Sequence, residues 1–275
     1  MGRRGGEIRV GPHAKLRIPD SQENLLQPTS LVIAVFEFVL LIFSLSVHEC
    51  AHAWMASRLG DQTARLQGRV TLNPMYHIDV LGTLIFPALI VFGPFIGFNF
   101  FGGLLIGWAK PTPVMTRNFR KIVRDDNLTT FAGPFSNLVL VCLAFAALAV
   151  MALVIQGGHD LVIDTFISVL SGRVLGMTTS TGAQATAILC SLAILINLSL
   201  FFFNLLPIPP LDGSRILRNV LPYNAVQVYD RIPIWVSYLL MIFVGGYIIS
   251  LFLRPSLVLV LTALNQFGAT AIPVQ

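Results

Sequence analysis

Charge is what this 275-residue chain has least of: 11% of its residues are Asp, Glu, Lys or Arg, against about 25% in an ordinary soluble domain. So small a supply excludes a soluble globule. It also excludes a disordered chain and a nucleic-acid-binding module, both of which depend on charge. Cysteine is scarce as well. Cys50, Cys142 and Cys190 all fall inside apolar runs and make neither a disulfide framework nor a CxxC pair. Cys142 and Cys190 read as small buried hydrophobes. Glutamate occurs four times, and none follows Glu49, which limits the carboxylates available for chemistry further on. No small-residue cleavage pattern backs the first apolar run, so the start of the chain does not read as a cleavable signal.

What is abundant is apolar: 55% of residues are hydrophobic, and the mean hydropathy is +0.77. Runs of the length needed to cross a bilayer, about 17–25 residues, occupy Leu31–Ala56, Leu128–Ile155, Ala183–Leu206 and Pro233–Leu253. Ser256–Phe267 is a shorter run that can cross with tilt or local thinning. Leu81–Trp108 is apolar too, but Pro87, Gly93, Pro94, Gly97, Gly102 and Gly103 interrupt it. Two halves of about 12 residues on either side of Gly93-Pro94 fit a re-entrant hairpin better than one straight span. The stretches 57–80, 109–127, 156–184 and 207–232 read as connecting loops, with no room for an inserted soluble domain. The expected architecture is an all-α polytopic membrane protein. It has about five to six transmembrane helices and a re-entrant hairpin, formed by residues 31–275 behind a weakly ordered polar tail, 1–30.

The sharpest motif is His48-Glu49-Cys50-Ala51-His52, at the far end of the first run. On a helix, residues four apart are offset by about 40° and rise about 6 Å, so both imidazoles point one way. Glu49 stands beside them, within reach of a water held between the rings. Two His ligands with a neighbouring carboxylate base form the zinc-metalloprotease arrangement. At this composition a chance match is expected on the order of once in a thousand such chains. Two histidines that only bond neighbouring helices are the blander reading, but ionisable groups in a bilayer mark functional sites by default. Glu37 is 11 residues before His48 and lies within about 20° of the same helical face, fitting either a water-filled cavity or a satisfied structural carboxylate.

Zinc with two His needs a third protein ligand and leaves one position for water. Asp212 is the best placed. It follows Asn204-Leu205-Leu206-Pro207-Ile208-Pro209-Pro210-Leu211, where three prolines end a helix and hold the chain extended. Gly213 then allows a tight turn back towards the membrane. His77 is the alternative third ligand.

The chain resembles the site-2 proteases, intramembrane zinc metallopeptidases, and is most similar to their compact bacterial type without a PDZ domain. The resemblance rests on His48-Glu49-x-x-His52 and on Asn204-x-x-Pro207-x-Pro209-x-Leu211-Asp212-Gly213. Ala132-Gly133-Pro134-Phe135-Ser136-Asn137, Gly68–Pro74 and Gly107–Pro111 carry it further. It implies one zinc ion held by His48, His52 and Asp212, Glu49 as general base, and Asn137 positioning substrate or stabilising the oxyanion. The implied partners are the lipid bilayer and a membrane-anchored protein substrate, cut within or near its transmembrane segment.

Eleven Lys and Arg lie in 57–80, 107–127 and 207–232, the loops flanking the site, while Arg173 and Arg254 are the cations of the opposite side. The positive-inside rule therefore turns the site of this multi-pass protein towards the cytoplasm. The five basic residues of the tail then fall outside, against the rule. A transporter or channel that handles a metal ion or protons is the competing function. It would be expected to carry paired repeats with matching broken helices, and the chain has none.

Overall fold

A computed structural model describes residues 7–9, 15–17, 28–96, 109–171 and 182–269. The polar N-terminal segment, expected to be weakly ordered, pairs Glu7–Arg9 (β1) with Lys15–Arg17 (β2) as an antiparallel ribbon, Ile8 opposite Leu16. Among the described residues, the remaining regular elements are helical. Helix α1 (Pro28–Leu59) is followed by the single turn α2 (Thr63–Leu66) and by α3 (Val80–Phe92), which opens as a π-helix over Val80–Ile85. Next come α4 (Ile122–Val154), α5 (Gly158–Leu170) and α6 (Gly182–Asn204). The short helices α7 (Asp212–Val220) and α8 (Tyr223–Tyr229) precede α9, which runs Ile234–Leu240, winds as a π-helix over Met241–Gly245 and continues as Gly246–Ala269.

Among the described residues, four helices are long and apolar enough to cross a membrane: Leu31–Leu59, Ile122–Val154, Gly182–Asn204 and Ile234–Phe267. The chain is a polytopic helical membrane protein, as expected. The last two apolar runs, Pro233–Leu253 and Ser256–Phe267, form one helix that passes through Pro255. In hydrocarbon every backbone group must be paired within the helix, so a single missing N–H is a smaller cost than an open turn.

The stretch 156–184, read from the sequence as a connecting loop, holds the helix Gly158–Leu170. Gly157 turns the chain with φ +69°, and α5 then runs back alongside α4 and α6. Val162, Phe166 and Val169 sit at helical spacing and are buried; Asp160 and Asp164 lower the hydropathy of the stretch and hide that spacing. Phe166 and Val162 pack with Leu148, Ala187, Ile194 and Leu264 in the main core, where α4, α5, α6 and α9 meet. Small residues at these crossings, Ala144, Ala152 and Ala187, let the helices approach closely. Cys142, expected to be buried, is instead exposed on α4. It is next to buried Val141 but points to the outer side of the helix. Cys190 is half-buried.

The hairpin expectation finds its physical basis at the ends of the segment. Helix α3 stops at Phe92 and Gly93–Ile96 forms a 3-10 turn, so the chain breaks at the Gly93-Pro94 step. Residues 97–108, the expected returning limb, lie outside the described residues. Lys110 N–H donates to the His77 carbonyl at 2.8 Å. Buried Arg69 donates to the carbonyls of Tyr76 (2.5 Å) and Lys110 (3.4 Å). The segment thus leaves and returns at one point, as an even number of crossings requires. Single cysteines at Ser57 and Arg117, in a chain lacking Cys50, Cys142 and Cys190, should therefore react alike with an impermeant thiol reagent on intact cells. Opposite labelling of the two would mean that the segment between them crosses the membrane.

Candidate metal centre

Helix α1 carries His48, Glu49 and His52, and their ligating atoms lie within 4.8 Å of one another. The two Nε2 atoms are 3.1 Å apart, and both rings are buried. Asp212 opens α7, and its Oδ2 sits 3.1 Å from His48 Nε2 and 3.3 Å from His52 Nε2. For metal bonds of about 2.0–2.1 Å, the edge of a tetrahedron is about 3.3 Å. The three atoms are therefore spaced as three corners of a zinc coordination sphere.

The hydrogen bonds on the far side of the rings say what these atoms carry. His52 Nδ1–H donates to the Thr129 carbonyl at 2.8 Å. In a neutral ring that tautomer leaves Nε2 as a bare acceptor. It faces a second imidazole nitrogen and a carboxylate oxygen, a convergence that either a shared proton or a cation between them satisfies. Burial opposes ionisation of Asp212, but where the adjoining imidazoles are protonated their charge and hydrogen bonds outweigh it and hold the carboxyl well below the usual carboxylate range. It stands as a ready anionic ligand.

Two carboxylates are near enough to be the third ligand, and their hydrogen bonds separate them. Thr112 donates its backbone N–H (2.9 Å) and its hydroxyl (2.8 Å) to Glu49 Oε2. Glu49 is thus tied beside the metal position, with no hydrogen bond to Oε1 among the described residues, while Asp212 points both ways into the imidazole pair. The donor set of two imidazoles and one carboxylate suits zinc with one open position.

Several elements hold this geometry. The chain from Leu205 to Leu211 folds over the start of α7 so closely that a Cβ on Gly213 would lie 2.1 Å from the Leu205 carbonyl; glycine is required there. Arg215 pairs with Asp126 at 2.8 Å, and Asn219 donates to Asp126 (2.7 Å) and Asn127 (2.8 Å), fastening α7 to the start of α4. Asp61 receives Met115 N–H (2.7 Å), the Asn118 amide (2.8 Å), and the N–H and hydroxyl of Thr63. Burial works against its ionisation, but these donors keep its carboxyl below the usual range. Asp61 so pins the strap that presents Thr112.

Helix α4 backs the whole site. Thr129, Gly133 and Asn137, four residues apart, form one face of it. A Cβ on Gly133 would lie 2.3 Å from His52 Nε2 and 2.6 Å from His48 Nε2, so only glycine lets α4 approach the pair. Asn137 is fully buried, and its amide nitrogen is 3.2 Å from His48 Nδ1.

The remaining candidates lie apart from the centre. His77 is buried in the loop before α3, its Nε2–H bonded to the Thr71 carbonyl at 2.8 Å. Asn197 and Asn204 each bond the carbonyl four residues back in α6, so these amides serve their own helix. Thr112, Thr129, Asp126 and Arg215 were not legible as part of the site, because a hydroxyl, a carbonyl or a surface ion pair leaves no spacing signature. Gly133→Ala should push both imidazoles aside and weaken zinc binding about 10–100-fold, on the scale of losing an outer-shell partner. Chelator competition on the folded protein would measure this, and wild-type affinity would show that the contact is not limiting.

Comparison with known proteins identifies the family. The model of Peptidase family M50 matches residues 36–246, a stretch that includes His48, Glu49, His52, Asn137 and Asp212. The chain is 37% identical over 198 residues to "Putative zinc metalloprotease YwhC" of Bacillus subtilis (strain 168), covering 72% of this chain and 74% of that protein. It is 30% identical over 198 residues to "Putative zinc metalloprotease Rip2" of Mycolicibacterium smegmatis, covering 70% of this chain and 60% of that one. No solved structure matches. The chain is a metalloprotease and belongs to Peptidase family M50, the site-2 proteases.

Proposed function

We propose that this metalloprotease hydrolyses a peptide bond within or near the transmembrane segment of a membrane-anchored protein, at a site facing the cytoplasm. One zinc ion is held by His48, His52 and Asp212. The observation that carries this reading is the convergence of His48 Nε2, His52 Nε2 and Asp212 Oδ2 at 3.1–3.3 Å.

When bound, zinc supplies a Lewis acid and brings the pKa of water at the site down to about 7, from 15.7 in bulk. Glu49 Oε1 takes the proton of the attacking water. The water oxygen joins the scissile carbonyl carbon, the carbon–nitrogen bond breaks, and Glu49 returns the proton to the leaving nitrogen. Thr112 holds Oε2 throughout, which keeps the other oxygen aimed at the water. The cytoplasmic orientation rests on the basic residues of 57–80, 107–127 and 207–232.

Glu49→Gln should keep zinc and lose cleavage, since the amide preserves shape but cannot accept a proton. His48→Ala, His52→Ala and Asp212→Ala should lose both, each removing one of three protein ligands. Metal content and cleavage of a model membrane substrate, measured on the same detergent preparations, check this. Cleavage by Glu49→Gln would remove the general base. A buried site can accept only an extended segment, so the substrate helix must open first. Replacing a Gly or Pro near the scissile bond by Leu should slow cutting, because these residues lower helix stability by about 1 and 3 kcal/mol. Equal rates on an all-Leu helix would mean that unwinding is not required.

A further inference from the structure

Asn137 stands on the wrong side of the metal centre for the oxyanion role that the family resemblance implies. Its amide contacts His48 Nδ1, the ring nitrogen turned away from the converging Nε2 and Oδ2 atoms, at 3.2 Å, and the side chain is fully buried. The chemistry of the pair is informative. A neutral His48 that offers the Nε2 lone pair to a metal carries its proton on Nδ1, and needs an acceptor there. The amide nitrogen is a donor, whereas Oδ1 of the same group is buried with no hydrogen-bond partner among the described residues. Amide nitrogen and oxygen are exchangeable by rotation. Turning the group by 180° places the orphaned oxygen on His48 Nδ1–H. His52 has the matching arrangement already, with the Thr129 carbonyl accepting from its Nδ1–H.

We infer that Asn137 is a positioning residue, which accepts the His48 Nδ1–H proton through Oδ1 and thereby fixes the ring and tautomer that bind zinc. This rests on the assignment of His48 as a zinc ligand. Thr129 and Asn137, two helical turns apart on α4, then serve one ligand each, with Gly133 between them. Outer-shell partners of ligating histidines are worth about 10–100-fold in metal affinity.

Zinc affinity, measured by chelator competition on the full-length protein in detergent, separates this role from contact with substrate. Asn137→Ala should bind zinc about 10–100-fold more weakly. Asn137→Asp keeps an acceptor at the same place and should restore wild-type affinity or exceed it, although it can no longer donate. Wild-type zinc affinity in Asn137→Ala, with kcat lost and KM unchanged, would overturn the inference in favour of an amide that donates to substrate. Should Asn137→Ala fail to fold, Asn137→Asp decides alone, and a tenfold loss of affinity there overturns the inference. His48→Ala is the control for the underlying assignment. If it keeps zinc, the ligand set is wrong; if it loses zinc while Asn137→Ala keeps full affinity, only the role of Asn137 falls.

Discussion

The contact between Asp212 and the imidazoles of His48 and His52 joins residues 164 and 160 positions apart in the chain, and the rest of the molecule is arranged so that they can meet. Both histidines project from the last turns of α1, so Asp212 must emerge at the same end of the bundle. Helices α4 and α6 cross and return between them. Anything further between α1 and α4 must also begin and end on one side, and the bond from Lys110 to His77 is where it does. A single constraint at the metal position therefore fixes the parity of the whole topology.

The division of labour along the bundle follows from the same constraint. Far from the metal, Leu148, Val162, Phe166, Ala187 and Leu264 form a core held by shape alone, with small residues setting the helix spacing. Near the metal, packing gives way to directed polar contacts: Thr129 and Asn137 on the histidines, Thr112 on Glu49, Arg215 and Asn219 on Asp126, and four donors on Asp61. Buried polar groups are costly unless each is paired. A network in which one member fixes the next keeps the converging lone pairs apart by a set distance. Helix α4 links the two regimes, with Ala144 and Leu148 in the core and Gly133 against the metal position.

The residues that converge at the proposed metal position were easy to read in the sequence, and their supports were hard to read. His48, Glu49 and His52 are legible because helical spacing alone puts them together, and Asp212 because three prolines and a glycine announce a turn that faces back. The break at Gly93-Pro94 was legible in the sequence, while the expected returning limb, 97–108, lies outside the described residues. Helix α5 was not legible, since two aspartates lower its hydropathy below that of a span while Val162, Phe166 and Val169 still bury one side. The last two apolar runs read as separate because Arg254-Pro255 looks like a boundary, although a proline costs a membrane helix only one hydrogen bond. Thr112 and Thr129 contribute a hydroxyl, an N–H or a carbonyl to a partner remote in sequence, and such contacts exist only once the fold has formed.

Zinc K-edge X-ray absorption on the purified protein tests the ligand set most directly. Two imidazoles and one carboxylate predict a first shell of nitrogen and oxygen alone, at about 2.0–2.2 Å, with the outer scattering of two histidine rings. A sulfur shell near about 2.3 Å, which would bring Cys50 into the site in place of Asp212, or protein that binds no zinc at all, would contradict the account.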